Sequence, residues 1–238
     1  MSMGPAHLEM PREIVHNYSQ LLAMRERTDW RNMTDNELWH ELCRCILSSN
    51  VPYELALSAW SHLRSLGLIE PERITVSARS TCYEKIAGEL RRPIYLPMRR
   101  DGSYRKYRFP NVRAGNIVDS ALFINSRGLK LGHQLGFFHS ETEARDFFAR
   151  NLPGVGMKEA SHFLRDIGYA DSLAIVDSHV VSFLREIGAV QVECASPPTP
   201  RLYRELEIIL QRISGDTGMN LAVLDMAIWK YMRETKAH

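Results

Sequence analysis

Residues 150–168 read RNLPGVGMKEASHFLRDIG, and Asp177, in SLAIVDSHV, lies nineteen positions beyond Lys158. Each of these residue types has a chemical use at its place. Gly154 and Gly156 flank one apolar residue, Val155, and such a pair makes a tight turn that brings backbone N–H groups to the surface. A helical pattern starts at Met157, so the amides of Val155 to Met157 are expected to point along the start of a helix, where the positive dipole end favours an anion. A DNA backbone phosphate fits such a site. Lys158 falls in the first turn, where the same field disfavours a cation and suits an amine that attacks an electrophilic carbon. An aspartate near it can stabilise the positive charge that grows on a sugar as its base leaves. Structural readings compete: helix–helix turns also use Gly and Pro, first-turn lysines are common, and Asp177 is well placed as an N-cap.

The elements that must position these residues read as helices. Apolar spacing at three and four residues marks Asn36–Leu47, Tyr53–Leu66, Thr81–Leu90, Ala114–Ser126, Thr142–Arg150, Met157–Ile167, Ser178–Ile187, Arg201–Ile213 and Leu221–Arg233. Thr34 or Asp35 is expected to cap the first, and Gly67, Gly168 and Gly188 follow later ones. The fold class is mainly α, with a small β-hairpin expected in Ile94–Phe109, where Pro97 argues against a central sheet position. CASPPTP at 194–200 is a connector stiffened by its prolines.

At 238 residues and 45% hydrophobic content the chain can bury a real core. It has no apolar run near the roughly 18 residues of a membrane span and no signal-peptide core, which leads us to expect an intracellular protein with no membrane partner. Cys43, Cys45, Cys82 and Cys194 lack CxxC spacing, so they are read as reduced thiols, with no metal site and no iron–sulfur cluster expected. A net charge of +2 is too small to announce a polyanion partner. Its distribution says more. RRPIYLPMRRDGSYRKYRFPNVR at 91–113 sets Arg91, Arg92, Arg99, Arg100, Arg105, Lys106, Arg108 and Arg113 against Asp101 alone, interleaved with Tyr95, Tyr104, Tyr107 and Phe109. Such a mixture neutralises phosphates and stacks on bases, although a solvated hairpin turning at Asp101-Gly102 has the same composition.

Helix, LPGVG, helix is a helix-hairpin-helix element, and LPGVGMKEA with the nineteen-residue step to VDSH resembles the helix-hairpin-helix DNA glycosylase superfamily. CILSSN at 45–50, YRFPNVRAGNIV at 107–118 and GMKEASHFLRDIGY at 156–169 look most like the compact archaeal-type 8-oxoguanine glycosylases that also cleave the backbone. The resemblance implies that Lys158 is the nucleophile forming a Schiff base at C1′ and that Asp177 assists base departure while capping its helix. It places His179 near the target phosphate, with Gly154, Val155 and Gly156 as the phosphate-binding hairpin. Asn50 falls where the family enters the gap left by a flipped-out nucleotide; its amide offers donor and acceptor to the widowed cytosine, and its plain reading is a helix-terminal loop residue. Asp225 and Trp229, four residues apart on the last helix, together with the terminal His238, are implied as base-recognition residues, with a core role as the plain reading of Trp229.

Two features depart from the family pattern. Residues 92–103 look like an insertion, so the DNA contacts assigned to Arg99, Arg100, Arg105 and Lys106 rest on composition. The chain also ends Lys236-Ala237-His238 where the archaeal-type enzymes typically finish on a lysine. The sequence is therefore read as two helical subdomains, 1–35 with 160–238 and 36–159, the hairpin element (142–167) at their junction. It is read as a bifunctional glycosylase and apurinic/apyrimidinic lyase acting as a monomer on damaged double-stranded DNA. A glycosylase for another damaged base and a non-catalytic DNA-binding module are the alternatives. No cofactor is required on this reading, and hairpins of this type often hold a monovalent cation through backbone carbonyls.

Overall fold

The computed structural model describes residues 28–191 and 198–235, together with Ile14. Among them are ten α-helices and no sheet. The chain divides into two compact units, Asp29–Ile167 and Met1–Thr28 with Gly168–His238. The boundary expected at 159/160 is corrected to 167/168, because a cut at 159 would split one helix and strip its apolar residues from their packing partners. No helix of the described residues is long and apolar enough to cross a membrane.

The larger unit holds α1 (Asp35–Ser48), α2 (Tyr53–Ser65), α3 (Arg79–Arg91), α4 (Pro110–Ser126), α5 (Leu131–Phe137), α6 (Glu141–Asn151) and α7 (Met157–Asp166). Helix α1 starts where sequence placed it. The Thr34 side chain accepts from Glu37 N–H, and the Glu37 carboxylate accepts from Thr34 N–H at 2.7 Å, a reciprocal capping box. Its buried Leu38, Leu42 and Ile46 recur at a helical interval and form the stripe that the rest of the unit covers. Helices α6 and α7 are locked edge to face by Phe148 and Phe163, with ring centroids 5.2 Å apart. Residues Pro110 to Arg113 join α4 ahead of the expected Ala114, because Pro110 at the first helical position needs no N–H acceptor. Short α5 escaped the sequence reading: LGHQLGF carries two glycines, and a tertiary bond from Gly132 N–H to the Asp35 carboxylate (2.8 Å) helps hold it.

The expected hairpin forms as a loop closed by a single antiparallel bridge, Tyr95 with Arg105. The two residues exchange backbone bonds of 3.1 and 3.0 Å, and Gly102, at φ +79°, turns the tip. Pro97 has no N–H to continue the ladder, and its carbonyl instead accepts from Arg105 Nε at 2.8 Å.

The smaller unit contributes α8 (Ser178–Glu186), α9 (Pro200–Thr217) and α10 (Leu221–Thr235). Its core includes Phe183, Leu184, Leu206, Leu210, Leu224 and Ile228, all essentially inaccessible. Helix α9 runs past the expected Ile213 and stops at Gly218, which takes the left-handed φ of +70°.

Candidate active site

The hairpin between α6 and α7 is built for close approach. Gly154 has φ +78°, and a Cβ there would overlap the Asn116 side chain of α4, so both conformation and space require glycine. Ser120, also on α4, donates to the Pro153 carbonyl at 3.0 Å. These contacts fix the turn against a second helix. The expectation for its amides needs one correction. Val155 N–H donates to Leu152 O at 3.1 Å, and Gly156 N–H donates to the Glu159 carboxylate at 3.2 Å. Both serve the turn itself. The amides left without a side-chain cap begin at Met157, two residues later than expected, because Gly156 is the N-cap of α7 and offers no side-chain acceptor to the first-turn amides. Lys158 is the second residue of α7, about a quarter exposed, with Nζ 4.0 Å from the Glu159 carboxylate.

The segment CILSSN ends α1 and is fastened by the YRFPNVR block, which sequence quoted for its resemblance without assigning it a structural task. Tyr107 Oη donates to Leu47 O, Arg113 Nη2 to Ser49 O at 2.8 Å and Arg108 Nη1 to Asn50 O at 3.4 Å. Burial pushes the Tyr107 phenol well above its usual range, so the hydroxyl stays a donor. Asn50 is exposed at φ +56°, a left-handed conformation that few non-glycine residues adopt and asparagine tolerates best. Three donors aimed at the Leu47, Ser49 and Asn50 carbonyls hold the segment there.

The helix α7 is tied to α1 by a buried polar set. His162 Nε2 lies 2.9 Å from the Asp166 carboxylate, which also pairs with Arg44, and Arg44 Nε donates to Glu41 at 2.8 Å. Burial pulls the His162 imidazole down, but the charge of Asp166 outweighs it and holds the group up to about 9. Burial raises the Asp166 carboxyl, and the charges and hydrogen bonds of His162 and Arg44 overcome this to leave it well below the usual range.

In the smaller unit, Asp177 caps α8 as its position suggested. Its Oδ1 accepts from His179 N–H (2.9 Å) and Val180 N–H (3.0 Å), which leaves Oδ2 without a partner among the described residues. His179 is half-buried beside it. The backbone leading to Asp177 is held by side chains of α9 and α10. Glu207 accepts from Ala174 N–H at 2.9 Å, Tyr203 Oη donates to Ala174 O and accepts from Val176 N–H, and Asp225 accepts from Ile175 N–H at 2.9 Å. Asp225 is only 4% exposed. Its carboxylate supports the segment two residues before Asp177, a long-range task that spacing along one helix could not reveal. Trp229 is half-buried with the Arg233 guanidinium 4.5 Å above its ring, so a cation already covers one face. His238 lies outside the described residues.

On the loop at 92–109, Arg99, Arg100 and Lys106 are exposed. Arg105 is half-buried, its Nε donating to the Pro97 carbonyl and its backbone forming the bridge. Leu96, Met98 and Tyr104 are also exposed there, so the loop tip offers apolar and aromatic surface among its cations.

Residues 102–219 match the family model for 8-oxoguanine DNA glycosylase. Over 226 residues the chain is 31% identical to the 8-oxoguanine DNA glycosylase/AP lyase of Saccharolobus solfataricus, spanning 92% of this chain and 96% of that one. It is similar to the crystal structure of the Methanocaldococcus jannaschii 8-oxoguanine glycosylase/lyase in complex with a 15mer DNA containing 8-oxoguanine, with a TM-score of 0.72, 27% identity and coverage of 96% and 99% of the two chains. The 8-oxoguanine DNA glycosylase of Thermotoga maritima gives a TM-score of 0.72 at 26% identity, covering 97% of this chain and 96% of that one.

Proposed function

Since the chain belongs to the 8-oxoguanine DNA glycosylase/AP lyase family, we propose that it uses Lys158 as the nucleophile of that reaction and Asp177 as its electrostatic partner. It is a base excision repair enzyme that removes 8-oxoguanine from double-stranded DNA and cleaves the strand at the resulting site. The target nucleotide leaves the stack at a cost of a few kcal/mol, approximately, offset by backbone and stacking contacts. The unprotonated Lys158 Nζ attacks C1′ as the N-glycosidic bond breaks, and the base departs with the bonding electron pair and takes up a proton. Positive charge grows on the sugar in that step, and the Asp177 Oδ2 lone pairs offset it. The amine then loses a proton and the ring oxygen leaves C1′, giving the Schiff base. Loss of a C2′ proton expels the 3′ phosphate, and water returns the free lysine.

Lys158 carries this reading, as a partly exposed amine in the first turn of a helix whose glycine cap leaves the leading amides open to a phosphate. Asn50, held by Arg108 and Arg113, faces the vacated position opposite the widowed base. Arg99, Arg100 and Lys106 follow the flanking phosphates, with Tyr104 supplying a stacking face. The reaction needs an amine and a carboxylate and no organic cofactor. The Leu152 and Pro153 carbonyls each keep a second lone pair that suits a monovalent cation at the hairpin. The enzyme acts as a monomer on the genome, inside the cell. Borohydride added to the protein with an 8-oxoguanine duplex should give a covalent protein–DNA adduct that Lys158→Gln does not form. An adduct of undiminished yield in that variant would overturn the assignment.

A further inference from the structure

Behind the nucleophile's helix lies a set of side chains that the proposed reaction does not use. Cys45 on α1 and His162 and Asp166 on α7 place a sulfur, a ring nitrogen and a carboxylate oxygen all within 4.8 Å of one another. Cys45 is a free thiol at 0% exposure, and His162 Nδ1 is a buried nitrogen with no hydrogen-bond partner among the described residues. We propose that Cys45, His162 and Asp166 form a binding site for a thiophilic divalent cation of the zinc class.

The donor types select this class. Thiolate and imidazole together favour zinc over magnesium or calcium, which prefer an all-oxygen shell. Zinc bonds of about 2.0–2.3 Å put tetrahedral ligands roughly 3.5 Å apart, so the three donors must close by about 1 Å. Charge permits this. Arg44 already stands against Glu41 and Asp166 in the same pocket. On binding, the Cys45 thiol proton and the proton between His162 and Asp166 leave as the dication enters, so the total charge is unchanged. Arg44 keeps Glu41 as its partner while Asp166 turns to the metal. A fourth position remains for water, as in three-ligand zinc sites. The bound ion would tie α7, which carries Lys158 in its first turn, to α1, which leads into Asn50. Thiol and imidazole lie far apart in sequence, and no CxxC spacing marks them.

Cobalt(II) is the probe, because a thiolate bound to it gives a near-ultraviolet charge-transfer band and tetrahedral coordination intensifies its visible bands. Titrating the whole reduced protein with cobalt(II) should develop both bands to a 1:1 endpoint, with zinc(II) displacing cobalt and bleaching them. Cys45→Ser should lose the charge-transfer band, whereas Cys43→Ser, Cys82→Ser and Cys194→Ser should retain it. His162→Asn, checked for folding by circular dichroism, should weaken binding by at least tenfold and serves if Cys45→Ser does not fold. Absence of a charge-transfer band in the parent protein would overturn the site. So would a band that survives in folded Cys45→Ser, or one that disappears with Cys82 or Cys194.

Discussion

The helices that carry Lys158 and Asp177 open in opposite ways. Helix α7 has Gly156 as its N-cap, whose missing side chain offers the leading amides no acceptor, and Lys158 is its second residue. Helix α8 starts on Asp177, whose carboxylate accepts from both His179 and Val180 N–H. One N-terminus is kept for an outside anion, and the other is satisfied from within. The same capping logic thus yields two arrangements: leading amides with no side-chain cap beside a lysine, and a carboxylate held by one oxygen. Support differs as well. The α7 hairpin is pressed on α4 through Gly154 and Ser120, whereas Asp177 is aimed by buried Tyr203, Glu207 and Asp225.

Exchanging or removing these features tests the contrast. Lys158→Gln should lower both base release and strand cleavage by at least about 10³-fold, as removal of a nucleophile does, while duplex affinity changes little. Single-turnover cleavage of 8-oxoguanine and abasic duplexes, set beside a binding titration, measures this, and lyase activity at the parent rate would break it. Asp177→Asn should keep the α8 cap and the melting temperature but slow base excision by roughly 10²–10³-fold, since an amide cannot balance the developing charge. Asp177→Ala should lose about 1 kcal/mol of stability in addition, measured by denaturant unfolding. Unchanged excision in the asparagine variant would leave Asp177 a cap and nothing more.

Gly156→Asp converts the start of α7 into the kind found on α8. Gly156 has φ −90°, which any residue adopts, and an added Cβ would stand 3.1 Å from the Glu159 carboxylate, which must shift by a few tenths of an ångström, approximately, to admit it. Helix stability should rise by a few tenths of a kcal/mol, approximately, while the new carboxylate occupies the amides and repels phosphate. Duplex affinity should fall, and the log–log salt dependence should flatten by about 0.9 for the lost contact. Undiminished affinity would move the phosphate elsewhere. The smallest effect is expected on the basic loop, where neutralising Arg99, Arg100 and Lys106 singly should each flatten the same slope by about 0.9 and leave cleavage of saturated duplex unchanged. An unaltered slope would make the loop a solvated turn.

Much of this was legible without coordinates. Periodic apolar residues marked nine helices, because burying one face of a 3.6-residue repeat leaves a trace in any linear sequence. Lys158 and Asp177 stood out because each sits at a helix start, where residue type and local electrostatics are coupled. Short α5 was missed because its glycines weaken the local signal and part of its support comes from Asp35. The roles of Tyr107, Arg108 and Arg113 were missed although their block was quoted, because a side chain that bonds a carbonyl some sixty positions away has no spacing of its own. Asp225 is a similar case: sharing a helix with Trp229 drew attention to it, while its bond to the Ile175 backbone fifty positions away left no trace in the spacing.

The sequence by itself determined the helical class, the hairpin and the caps, since these follow from interactions within a few residues along the chain, and its resemblance to the glycosylase family singled out Lys158 and Asp177 as the amine and carboxylate proposed to react. Only the tertiary structure decided which hairpin amides are free, what holds Asn50 in a left-handed conformation, and that Asp225 is a support. It alone gathered Cys45, His162 and Asp166 into one pocket. Those outcomes depend on which distant groups compete for the same donor or the same volume, and that competition is settled by packing.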